Sequence, residues 1–161
     1  MKKISLFTSA LLLCACSQQL PSEFSQTDLL PHIYPDYVDV TVPVNIAPLT
    51  FEMDDRSSDE IAVRYSFADE EIICTGKKAQ PDIDDWTHLT AAAKGKAIQV
   101  ETYASKDGQW TRFKPFSIYV STDSIDAYIS YRLIHPSYVA YEDLTISQRS
   151  LENYDESDIY L

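Results

Sequence analysis

Glycine is almost missing from this chain: Gly76, Gly95 and Gly108 are the only three in 161 residues. Phosphate cradles of the P-loop or dinucleotide-binding kind need clustered glycines so that backbone amides can approach the ligand, and no such loop is present. Cysteine is equally scarce. Cys14, Cys16 and Cys74 are the full set, two of them within the first sixteen residues, which leaves no material for an intramolecular disulfide framework. Basic residues are outnumbered, 13 against 25 acidic, for a formal net charge of −12. That surplus repels polyanions and excludes nucleic acid as a partner. Long apolar runs are also lacking, because Ile4 to Leu13 falls well short of the roughly 20 residues that cross a bilayer. What remains is 45% apolar, 12% aromatic and 24% charged, the composition of a folded body rather than a solvated tail. The length suits one domain with a core of its own.

The N-terminus carries the sharpest motif. Lys2 and Lys3 precede the short apolar stretch, and Leu13-Cys14-Ala15-Cys16 follows it. This order matches a bacterial lipoprotein signal peptide over residues 1–15, with small Ala15 before the cleaved bond and Cys16 as the lipid acceptor. Cys14 is the poorer acceptor because bulky Leu13 would occupy the small-residue position. An ordinary secretory signal with incidental cysteines is the competing explanation. Each buried acyl methylene contributes about 0.8 kcal/mol, so several chains on Cys16 would hold an acidic body at a membrane it does not otherwise bind. Residues 16–29 are polar and aperiodic, as a lipidated flexible tether would be.

Pro31, Pro35, Pro43 and Pro48 exclude a long helix between Leu30 and Phe51, while Ile33, Tyr37, Val40, Val42 and Ile46 make the stretch too apolar for a free linker. It reads as an extended segment lying along a domain. Downstream, Ile61, Val63, Tyr65 and Phe67 alternate with smaller or polar residues, as do Ile98, Val100 and Thr102, and Ile129, Tyr131 and Leu133. Trp110 to Val120 is aromatic and interrupted by Pro115, which points to a sheet edge or bulge. Lys106-Asp107-Gly108 reads as a turn. Trp86 and Leu89 at helical spacing predict a short connecting helix over Asp82 to Leu89, capped by Asp84 or Asp85. Short strands joined by turns predict a mainly-β fold, an antiparallel β-sandwich over residues 30–145, with Val63, Tyr65, Ile98, Val100, Ile129, Tyr131 and Leu133 inward. Residues 146–161 form a C-terminal extension or interdomain connection on this reading.

No pattern for catalysis stands out. His32, His88 and His135 are widely spaced, and zinc would need them to meet in space. The acidic clusters Asp54, Asp55, Asp59 and Glu60, Asp69 to Glu71, and Asp82 to Asp85 lack EF-hand spacing, and solvated turns explain them. A glycosidase pair cannot be singled out among so many acids. Cys74, in Ile72-Ile73-Cys74-Thr75, reads as a small buried apolar residue. No nucleophile elbow is present. No metal or cofactor is implied, and a noncatalytic module is expected. Eleven tyrosines are present, seven of them after Pro115, and rings with an apolar body and a polar tip suit protein or glycan interfaces. Tyr128, Tyr138, Tyr141 and Tyr154 are the interaction candidates.

Three blocks also carry a family resemblance. Ile33-Tyr34-Pro35-Asp36-Tyr37 with Val42 to Leu49, then Phe116 to Ser121 with Ile125 to Ile134, then Ile146-Ser147-Gln148-Arg149-Ser150-Leu151, resemble in order the N-terminal module of exported Bacteroidetes lipoproteins. Those proteins are TolB-like, often bear generic cytochrome biogenesis names, and continue into a haem-attachment motif and propeller repeats. Neither Cys-x-x-Cys-His nor a propeller repeat is present here, so the resemblance implies the module alone. In that group an acidic run after the lipid cysteine favours display outside the cell; Ser17-Gln18-Gln19 has none, which favours the periplasmic side of the outer membrane. The resemblance implies a lipoprotein module that supports or binds a downstream propeller or another envelope protein. Carbohydrate or peptidoglycan binding is the rival, and an enzyme with an unrecognised active site the third reading.

Overall fold

The computed structural model describes residues 18–54, 58–133 and 145–160. The chain adopts the mainly-β class that its alternations predict, in several antiparallel and mixed sheets. Twelve strands are present among the described residues: β1 (Ser25–Gln26), β2 (Ile33–Tyr34), β3 (Thr41–Val42), β4 (Glu52–Met53), β5 (Glu60–Phe67), β6 (Glu70–Gly76), β7 (Ala97–Lys106), β8 (Gln109–Arg112), β9 (Phe116–Val120), β10 (Tyr128–Leu133), β11 (Thr145–Ser150) and β12 (Glu156–Tyr160). One helix, α1 (Ile83–Ala92), lies between β6 and β7.

The large sheet is organised around the β5–β7 pair. β5 pairs β6 on one side and β7 on the other, all antiparallel. The second edge of long β7 is shared: Ala97 to Val100 pair with β9, and Tyr103 to Lys106 with β8. Pro115 lies in the gap between β8 and β9, where a missing amide would otherwise break the ladder. β7 turns into β8 through Asp107 and Gly108, both at positive φ, the geometry of a tight two-residue hairpin turn. Asp59 Oδ2 accepts the Asp107 amide at 2.8 Å and fixes that turn. Two edge pairings are parallel rather than antiparallel, β1 with β8 and β3 with β9. They arise because the N-terminal segment runs along the finished sheet instead of hairpinning into it. Phe24 to Leu29, read from the sequence as tether, is therefore docked: Phe24 meets the Tyr103 ring edge-on at 5.2 Å, Thr27 N donates to Arg112 O, and Lys114 N to Leu29 O.

The alternation on β5 decides which face is buried. Ile61, Val63 and Tyr65 are sealed in one core with Ile98, Val100, Phe116 and Ile118 from neighbouring strands. The layer over that face consists of the β2–β4 ribbon, the Leu49–Phe51 stretch and α1, which add Ile33, Met53, Leu49, Phe51, Trp86 and Leu89 to the same core. The opposite face of the sheet carries charge, with Arg64 to Glu71 at 3.1 Å and Arg112 to Glu101 at 3.0 Å.

Helix α1 ends at Ala92, three residues beyond the Leu89 that the spacing predicts, and its cap is Asp82 rather than Asp84 or Asp85. Asp82 is extended after Pro81, and its Oδ1 accepts the amides of Asp84 at 2.9 Å and Asp85 at 3.4 Å. Asp84 and Asp85 instead occupy the first turn, where their charge complements the exposed amide end of the helix dipole.

β10, β11 and β12 form a separate three-stranded antiparallel sheet. Residues 146–160, read as an extension, thus supply two of its strands. The expectation that Ile129 and Tyr131 point into the core is corrected: Ile129 is 49% exposed and Tyr131 half-buried. Among the described residues neither side chain joins the main hydrophobic core. The side chain of Leu133, expected inward with them, lies outside the described residues.

Candidate functional site

Asn45 joins the small sheet to the rest of the molecule. Its Nδ2 donates to Ile125 O at 2.9 Å and to Glu152 Oε1 at 2.7 Å, while its Oδ1 accepts the Ile125 amide at 3.0 Å. Pro43 and Pro48 bracket this stretch, which turns at Val44 and Asn45 with Ile46 N donating to Pro43 O at 3.3 Å; neither proline has an amide to offer a regular ladder. Ala47 N donates to Leu151 O at 2.7 Å, and the Tyr154 hydroxyl donates to Pro48 O and lies 3.1 Å from Thr50 Oγ1.

Between these fastenings the two parts stand apart and leave a groove of about 440 Å³. One wall is the proline-bounded segment with Ile46, Pro48 and Tyr37; the other is Ile129, Tyr131 and Arg149, with Leu151 and Tyr154 at one end. The register explains the second wall, since Ile129 lies opposite Arg149 and Tyr131 opposite Ser147, which puts all four on one face of the small sheet. Ser147 is fully buried and donates to Asp158 Oδ1 at 2.8 Å; the Tyr131 hydroxyl donates to Glu156. That donated hydrogen bond raises the Tyr131 phenol above its ordinary range, and burial followed by the nearby Tyr154 raises Tyr37. Both rings therefore remain neutral donors at physiological pH, apolar across their faces and polar at their tips.

Of the four interaction tyrosines expected from the sequence, the groove contains Tyr154. Tyr128 is exposed on β10 but, opposite Ser150, belongs to the other face of the strand from Ile129. Tyr138 and Tyr141 lie outside the described residues, as do the lipidation candidate Cys16 and His135. Sequence reasoning missed Tyr37, Ile129, Tyr131 and Arg149 as groove residues. The signal for Ile129 and Tyr131 was present, a clean apolar alternation, but alternation does not say whether a strand face meets a core or an opening.

Other concavities carry less chemistry. A cleft of about 690 Å³ runs past Cys74, Gln80 and Asp85. Burial, with a smaller contribution from Asp85, pushes the Cys74 thiol up to about 11, so it stays protonated and weakly nucleophilic. A second, of about 660 Å³, is lined by Glu52, Asp59, Glu60 and Lys77. His88 is exposed and pairs with Glu70 at 3.1 Å, and His32, beside β2, is exposed as well. Among the described residues no three His, Cys, Asp or Glu side chains converge on a metal-sized site, and no helix is long and apolar enough to cross a membrane.

No family model matches the chain, and no curated protein is significantly similar to it.

Proposed function

We propose that this protein is a noncatalytic module of a bacterial envelope, anchored through lipid on Cys16 at the periplasmic side of the outer membrane, which binds another protein through the groove beside β10. The family resemblance in the three sequence blocks would make that partner a propeller domain or another exported protein. One observation carries the binding reading: Ile129 is 49% exposed within a regular strand, flanked by Tyr131 and facing a groove whose shape is held by Asn45, Ala47 and Tyr154. Large apolar and tyrosine side chains held at a preformed opening are the composition of a protein-binding surface. The acidic body would otherwise be repelled by anionic lipid, so the covalent anchor and the groove divide the work.

Tyrosine-lined grooves also take sugars, and the two readings separate by experiment. A photoreactive residue placed at position 129 of the full chain in cells should yield a protein adduct of discrete mass, lost when Leu151→Asp spoils the groove. Soluble peptidoglycan fragments titrated into the purified protein should leave the Ile129 and Tyr131 resonances unmoved. Saturable glycan shifts at those two residues without a protein adduct would reverse the ranking.

A further inference from the structure

Among the described residues β10 is an edge strand: the small sheet runs β10, β11, β12, and β10 pairs β11 alone. Leu151 N donates to Ala127 O at 2.8 Å in register with this ladder. Hydrogen-bonded and non-bonded pairs alternate along an antiparallel ladder, so Ile129 and Tyr131 turn their backbone groups toward β11. Tyr128, Ser130 and Arg132 turn theirs to the open side, and among the described residues no hydrogen bond reaches them there. An open edge of this kind is a template for another strand.

The side chains say what strand would fit. Residues of an added strand opposite Ile129 and Tyr131 would fall on the groove face, where apolar groups are wanted. Residues opposite Ser130 and Arg132 would fall on the other face. In a chain of net charge −12, β10 and β11 contain no acidic residue, and their two charges are Arg132 and Arg149. Both arginines are exposed, and neither has an ion-pair partner among the described residues. The far edge of β11 already holds an acid-bearing strand, β12, whose Glu156 and Asp158 accept from the hydroxyls of Tyr131 and Ser147.

We propose that the open edge of β10 receives an extended peptide of alternating acidic and apolar residues as a fourth strand, its apolar side chains entering the groove and a carboxylate facing Arg132. This rests on the protein-binding reading and names the chemistry of the partner segment. Affinity would come from main-chain bonds to Tyr128, Ser130 and Arg132, and selectivity from the alternation.

The test uses the isotopically labelled full chain in detergent micelles with two capped peptides, one alternating glutamate with valine and one alternating lysine with valine. The glutamate peptide should slow amide exchange at Tyr128, Ser130 and Arg132 by about tenfold or more, while Ile129 and Tyr131, already bonded to β11, change little. Ser130→Pro removes an outward amide without touching the β10–β11 ladder, a substitution edge strands tolerate, and should abolish that protection. Arg132→Glu should transfer preference to the lysine peptide and keeps the test decisive if Ser130→Pro does not fold. Equal binding of both peptides, protection that survives Ser130→Pro, or concentration-dependent protection without peptide, which would mean a second copy at the edge, overturns the proposal. An adduct at position 129 that persists in Ser130→Pro with no peptide protection overturns strand addition and leaves the protein-binding reading standing. Glycan shifts with no response to either peptide overturn both.

Discussion

The rings of Tyr65 and Trp86 meet edge to face, centroids 5.6 Å apart at 85°, and Trp86 Nε1 donates to Ile46 O at 3.0 Å. One fully buried side chain therefore ties three things: the central strand β5, helix α1 and the proline-bounded wall of the groove. Trp86→Ala should cost about 3–5 kcal/mol in chemical denaturation, since the cavity would open where these three elements meet. Trp86→Phe keeps most of the apolar volume but strands the Ile46 carbonyl, and should cost less while speeding exchange in the Ile46–Leu49 stretch.

Asn45 does for the small sheet what Trp86 does for the helix. Its side chain bonds both backbone groups of Ile125 and the carboxylate of Glu152, substituting for a strand that is not there. Asn45→Ala leaves partly buried backbone groups unpaired and should destabilise by about 1–3 kcal/mol. Hydrogen exchange provides the sharper readout, because the amides of Ile125 and Leu151 should lose protection while those of Val63 and Val100 keep theirs.

The large sheet was legible because its signals were local. The β5 and β7 alternations, the Asp107-Gly108 turn, and Pro115 between β8 and β9 each act over a few residues, and each is found where the pattern put it. The parallel edge pairings were not, since β1 and β3 are two residues long and their partners lie far along the chain. The groove was half legible. Ile129 and Tyr131 repeat on β10 the pattern that Val63 and Tyr65 make on β5, and one pair is sealed while the other is open. Periodicity records that a face is apolar; what covers it is decided by tertiary packing.

Burial of Cys74 makes alkaline stability predictable in sign. Its thiol is raised from an ordinary 9.0 to about 11, so above the lower value the unfolded chain has released a proton that the folded one retains. Binding fewer protons when unfolded means stability is fully present below pH 9 and falls as pH rises toward 11. The phenol of Tyr65, raised well above its usual range by burial, acts in the same direction. Denaturation midpoints measured from pH 8 to 11 should decline, and Cys74→Ala should flatten the early part of the decline. Mass mapping at neutral pH should find the Cys74 peptide resistant to alkylation in the native protein and readily labelled in denaturant.

The lipid anchor proposed at Cys16 separates cleanly from its neighbour. If Ala15 fills the small-residue position, Cys16→Ser should release the protein from the membrane fraction into the soluble one, whereas Cys14→Ser should change nothing, because Cys14 leaves with the signal peptide. Intact mass of detergent-extracted protein should give a chain beginning at an acylated Cys16. An unmodified N-terminus starting elsewhere would overturn the assignment.

A matched pair of isoleucines tests whether β10 is built for binding rather than stability. Ile98 on β7 is fully buried in the main core, and Ile98→Ala should cost about 2–5 kcal/mol through lost transfer energy and the cavity left behind. Ile129, at 49% exposure beside the groove, has little enclosed volume to lose, and Ile129→Ala should stay within about 1 kcal/mol of wild type. The order should reverse for binding. Captured partner or strand peptide should be lost with Ile129→Ala, whose side chain is the apolar part of one groove wall, and retained by Ile98→Ala at temperatures where that variant is folded. If Ile129→Ala instead melts the small sheet cooperatively, with exchange rising across β11 and β12, the residue belongs to a core after all and the groove is a packing defect.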